Sequence, residues 1–102
     1  AAAGSAPAYF FLFMQAIAEE AEAMGFNPEQ ARLLVQQTAL GAAAMVEQNP
    51  DLSLQALREQ VTSKGGTTAE AIKTFQEQGL MPLTAHAMQA AVARAAEMET
   101  LF

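Results

Sequence analysis

The sequence predicts an all-α domain of about five helices. Three observations carry that reading. Ala, Leu, Met, Glu and Gln dominate the 102 residues and β-branched residues are sparse, a composition of strong helix formers. Apolar residues recur at helical spacing, and no stretch alternates with the period of a strand. Helix-starting and helix-ending residues punctuate the chain, notably Asn27-Pro28, Gly25 and Gly79.

The elements follow in order. Ser5 or Ala6 leads into Pro7, a residue favoured in a first helical turn. The helix is expected to run to about Met24, with Gly25 as the glycine just past its end. Tyr9, Phe10, Leu12, Phe13, Met14 and Ile17 leave hardly any polar face in its first half, and a helix apolar all round is a buried one. Glu19, Glu20 and Glu22 make the second half polar. The first half therefore belongs at a centre and the second at a rim.

Asn27-Pro28-Glu29-Gln30 is a second helix start: N-cap, proline at the first position, Gln at the third. Ala31, Leu34, Val35, Thr38, Ala42, Met45 and Val46 continue it at helical spacing. Small side chains over Leu40–Ala44 let another helix approach closely. Asn49-Pro50-Asp51 breaks the pattern. Ser53 or Asp51 then caps a short helix with Leu54, Leu57 and Val61 inward. A fourth helix is expected over Thr68–Gln78, closed by Gly79, and Pro82 starts a last, Ala-rich one. No internal repeat and no dividing linker appear, so residues 1–102 read as one domain.

Composition bounds the function. Hydrophobic residues make up 52%, more than so small an interior holds, so part of the apolar surface is expected between subunits or domains. The formal charge of −6 argues against nucleic acid or an anionic membrane as partner. The absence of cysteine excludes disulfide and thiol chemistry. Residues 6–18 are almost wholly apolar but lack the basic flank of a signal peptide and are too short to span a bilayer. Nothing speaks for secretion, and the expected location is the cytoplasm.

Residues able to carry chemistry are few. His86 is the sole histidine, with no ligand set around it, so no metal site is expected. The six methionines sit singly at helical spacing and read as packing residues. Glu19-Glu20 and Glu97/Glu99 read as solvated faces. Tyr9 is expected to hydrogen-bond within a core or interface. No residue set reads as catalytic.

The stretch Val61–Gln76 is more informative. Gly65-Gly66 is the only glycine pair and frees the backbone for conformations that side chains forbid. Thr67-Thr68-Ala69-Glu70 reads as a capping box, with Thr67 as N-cap. Gly66 is expected at positive φ, turning N–H groups outward. Two glycines, two hydroxyls and a helix start also make an anion site, with Lys64 as a neighbouring cation. Local chemistry leaves both readings open, since Glu70 can itself answer the helix dipole. Ser63, Thr67 and Thr68 have no nearby His or Lys other than Lys64 to act as base, so a nucleophile is a poor reading; donating hydrogen bonds to a carboxylate suits them better.

The run Thr62-Ser63-x-Gly65-Gly66-x-Thr68-x-x-Ala71-Ile72-x-x-Phe75-Gln76 resembles the signature of the pyrroline-5-carboxylate reductases, the last enzymes of proline synthesis. Gly4-Ser5-Ala6-Pro7-Ala8-Tyr9-Phe10 is similar to the segment opening the family's C-terminal helical domain, and Gln37–Ala43 to its second long helix. The resemblance runs over nearly the whole chain in order and spacing. It departs at Ala6, where the family usually has Gly, and at Lys64, where Pro is commoner.

The resemblance implies a dimerisation domain whose apolar helices interleave with a second copy, giving a homodimer or a larger homo-oligomer. It implies that Ser63, Gly66, Thr67 and Thr68 hold the carboxylate of pyrroline-5-carboxylate or proline. It implies NADPH or NADH as hydride donor in the full-length enzyme. No G-x-G-x-x-G follows a strand in this sequence. The chain therefore reads as the C-terminal domain alone, engineered or proteolytic, with no cofactor of its own and no activity by itself. The competing reading is a non-enzymatic helical interaction module whose Gly-Gly turn only caps a helix.

Overall fold

A computed structural model describes residues 2–101. Five helices make up the fold: α1 (Ala2–Ala23), α2 (Pro28–Gln48), α3 (Leu54–Gln60), α4 (Thr67–Glu77) and α5 (Leu80–Leu101). No strand occurs among the described residues. The chain is all-α, as its composition predicts.

α1 begins earlier than Pro7 predicts. The Ala-rich segment before the proline is helical too, and Pro7 lies inside the helix. Alanine costs the helix least, which carries it upstream at the expense of the hydrogen bond that Pro7 cannot donate. The other end matches expectation. Gly25 takes φ +114°, its N–H donates to Glu22 O at 3.0 Å, and the Phe26 N–H donates to Ala21 O at 3.0 Å. These are the two bonds of a Schellman motif, which satisfies the last carbonyls of the helix.

α2 opens as its sequence dictates. The Gln30 N–H donates to Asn27 Oδ1 at 2.9 Å, and the Asn27 N–H donates to Gln30 Oε1 at 3.0 Å. Pro28 fills the first helical position, where its missing donor is no loss. Asn49 closes the far end, its Nδ2 donating to Met45 O at 2.8 Å. For α3 the cap is Ser53, whose Oγ accepts from the Ala56 N–H at 3.0 Å. Gly79, at φ +91°, ends α4, and its carbonyl accepts from the Leu83 N–H at 2.9 Å, opening α5.

The chain divides into two compact units, and α1 passes from one to the other at Pro7. Pro7–Glu59 holds a small core of Ala21 from α1, Ala31 and Val35 from α2, and Leu57 from α3. The other unit runs from Gln60 onward together with the residues before Pro7. There α4 packs on α5, with Ile72, Gly79 and Leu80 half-buried. No described residue of α5 is fully buried.

One expectation about burial needs correction. Of Leu54, Leu57 and Val61, Leu57 alone is buried, while Leu54 and Val61 lie open to solvent. The three share one face over about two turns, but Val61 lies past the end of α3, and the small core of this chain reaches Leu57 alone. The first half of α1, expected at a centre, is exposed within the single chain: Phe10, Phe11 and Leu12 are 71%, 67% and 66% accessible. The Tyr9 hydroxyl is shielded from solvent and has no hydrogen-bond partner among the described residues.

Candidate functional site

The predicted site residues fall on the turn before α4. The Gly66 N–H donates to Ser63 O at 3.0 Å, closing a four-residue turn over Ser63-Lys64-Gly65-Gly66. Gly65 occupies the third position at φ +75°. Lys64 is not in the left-handed region. Positive φ at the third position alone is the mark of a type II turn, which favours glycine there. The special conformation thus belongs to Gly65, and the expectation for Gly66 is corrected: Gly66 has φ −88° and ψ −178°, extended backbone open to any residue.

Gly66 is constrained by space instead. A Cβ built there would meet Ser63 O at 3.2 Å and Ser63 Cβ at 3.4 Å. The turn brings Ser63 back against Gly66 so closely that a side chain fits only if the turn shifts. The spacing S-K-G-G contains this signal, since the third residue of such a turn needs positive φ and the fourth comes back on the first.

The helix cap is also one residue earlier than predicted. Gly66 is the N-cap of α4, with no side-chain capping hydrogen bond, and its carbonyl accepts the first intrahelical bond, from the Glu70 N–H at 3.2 Å. Thr67 is therefore the first helical residue and Thr68 the second. The Thr67–Glu70 capping box does not form, because Thr67 already has helical geometry and its hydroxyl cannot reach forward as a cap does. Glu70 remains in the first turn, where its charge complements the dipole.

All four candidates are thus within one turn-and-helix start. Ser63, Thr67 and Thr68 are exposed and Gly66 is half-buried. The Gly66 N–H is engaged with Ser63. The amides of Thr67, Thr68 and Ala69 lie in the first turn, where a helix supplies no acceptor. Lys64 is exposed and makes no ion pair with a described residue. Amides without an intrahelical acceptor and the positive end of the helix dipole lie together at this helix start, beside the hydroxyl-bearing Ser63, Thr67 and Thr68. His86 is exposed on α5, and no cluster of three His, Cys, Asp or Glu side chains forms among the described residues. No helix of the described residues is long and apolar enough to cross a membrane.

Comparison with known proteins settles the family. The family described as pyrroline-5-carboxylate reductase dimerisation matches residues 1–98. The chain belongs to this family. Pyrroline-5-carboxylate reductase of Vibrio alginolyticus is 70% identical over all 102 residues, which correspond to 38% of that relative. The enzyme of the same name from Pasteurella multocida is 55% identical over the same span, 37% of its length. A crystal structure of Plasmodium falciparum pyrroline carboxylate reductase with NADP bound superposes with a TM-score of 0.89 at 28% identity, over 95% of this chain and 37% of that one. This reductase dimerisation domain therefore spans well under half the length of its relatives.

Proposed function

We propose that residues 1–102 form the dimerisation and carboxylate-binding domain of a pyrroline-5-carboxylate reductase, joined to its second copy by interleaved helices. The observation that carries the homodimer is surface area. The chain exposes 8295 Å², whereas surface–mass scaling gives a folded monomer of its 10.8 kDa about 5,500 Å². The excess of about 2,800 Å² per chain, about 5,500 Å² over two copies, matches the upper end of what obligate homodimers bury in total. Much of it is apolar, since Phe10, Phe11 and Leu12 on α1 and Met81, Leu83 and Val92 on α5 are all exposed.

The substrate is pyrroline-5-carboxylate and the product proline. NADPH or NADH supplies a hydride to the carbon of the substrate C=N bond when bound, and the ring nitrogen takes a proton from solvent. This chain's part is to fix the substrate carboxylate. Ser63, Thr67 and Thr68 donate to it, the dipole of α4 neutralises it, and Gly66 keeps the surface clear of a side chain. No glycine-rich dinucleotide turn follows a strand in this sequence, so these residues carry no dinucleotide fingerprint.

The test is turnover by the full-length protein that contains this chain. Oxidation of NADPH that depends on pyrroline-5-carboxylate, with inhibition by proline, is the expected result. A folded oligomer with neither activity supports a helical interaction module instead.

A further inference from the structure

We propose that Arg32 anchors the interface between two copies of this chain, its guanidinium taking a carboxylate of the second copy. The inference rests on the homodimer reading above and goes further by naming a charged contact within it.

Arg32 stands on α2, between two surface grooves. One, of about 400 Å³, is walled by Phe11, Met14, Ala18 and Val35, with Gln15 beside Arg32. The other continues past Pro28, Glu29, Leu33 and Gln36. Both lie within Pro7–Glu59. Apolar walls around a guanidinium exclude water once the groove is covered, and a covered cation needs a partner.

No described residue of the same chain is that partner. Arg32 is exposed and makes no ion pair with a described residue. Glu29 lies at the spacing of an i,i+3 pair and is not bound to it. Yet carboxylates are in excess: seven lie between Pro7 and Glu59, against Arg32 and Arg58 as the bases. A second copy brings the same excess of carboxylates to the groove, together with exposed apolar helices to cover its walls. Arginine suits such a place, since it is less strongly hydrated than lysine and binds a carboxylate with two parallel hydrogen bonds. In a two-fold interface the contact occurs twice, so any change at Arg32 acts twice.

Sedimentation equilibrium of the 102-residue chain, with Arg32→Glu, Arg32→Gln and Arg32→Lys variants, tests this. Circular dichroism above the dissociation constant checks that each is helical. Arg32→Glu should raise the dimer dissociation constant about tenfold or more, and Arg32→Lys by less. Arg32→Gln should in addition flatten the dependence of the constant on salt, which loss of packing alone does not do. Should Arg32→Glu fail to fold, the Gln variant alone decides. A Gln or Glu variant within twofold of the unsubstituted chain, with the same salt dependence, overturns the assignment. An unsubstituted chain that sediments as a folded monomer overturns the homodimer reading beneath it.

Discussion

The Gly66 N–H donates to the Ser63 carbonyl at 3.0 Å, and the Gly66 carbonyl accepts from the Glu70 N–H at 3.2 Å. One residue thereby closes the turn and opens α4. Its amide is already spent on Ser63, so an anion at this surface must be held by the next amides, those of Thr67, Thr68 and Ala69. The missing side chain at Gly66 serves the turn itself, since a Cβ would crowd Ser63 O at 3.2 Å.

Gly65, at φ +75°, should be the more sensitive glycine for stability. Nothing lies within 4 Å of a Cβ built on it, so backbone strain is the whole cost. Gly65→Ala should lower stability by about 1 kcal/mol, and Gly65→Asn by less, because Asn enters the left-handed region more readily. Chemical denaturation of both variants at one protein concentration measures the difference. Equal losses for Ala and Asn would contradict the φ argument.

Asn27 holds both halves of the α2 capping box. Asn27→Ala should cost about 1 kcal/mol, and Asn27→Ser should recover most of it by keeping an acceptor for the Gln30 N–H. Thermal melts of the three proteins give the ranking directly.

Folding and association should be linked. The core within Pro7–Glu59 consists of Ala21, Ala31, Val35 and Leu57, three of them small, while large apolar residues on α1 and α5 are left open. For a dimer that unfolds as it dissociates, a hundredfold rise in protein concentration adds about 2.7 kcal/mol to the apparent stability. The melting temperature should therefore climb by several degrees over that range. A melting temperature independent of concentration would point to a self-sufficient monomer.

Local signals were legible in the sequence, and those that depend on several residues at once were not. Asn27-Pro28-Glu29-Gln30 and Gly25 act within a few residues, and each made the cap that its chemistry predicts. Positive φ falls on Gly65 and not on Gly66, because the turn begins at Ser63; the glycine pair alone does not say where the turn begins, and only the full four-residue spacing does. The cap of α4 slipped from Thr67 to Gly66 for the same cause: once Gly66 is extended, Thr67 is already helical. Burial was least legible. The periodicity marks Leu54 and Val61 as apolar positions, yet both are exposed, since periodicity says which side is apolar and not whether this chain or another covers it. The candidate site itself was legible as a segment, Ser63–Thr68, while the roles of its members depend on the turn.

Thr68 offers the sharpest test of the carboxylate reading. It is the second residue of α4, exposed, and outside any capping bond. Thr68→Ala should thus leave stability within about 0.5 kcal/mol of the unsubstituted protein, as for other exposed sites away from caps. A hydroxyl bonded to a bound carboxylate contributes about 1.5–3 kcal/mol, so the same change should weaken substrate binding by about tenfold or more. Thr68→Ser, which keeps the hydroxyl, should retain most of the affinity. The measurement is made on the full-length enzyme, as the Michaelis constant for pyrroline-5-carboxylate and the inhibition constant for proline, with a melt of each variant alongside. Loss of affinity at unchanged stability marks a ligand contact. If both constants stay unchanged in Thr68→Ala, the start of α4 is a helix end and nothing more, and the carboxylate is held elsewhere.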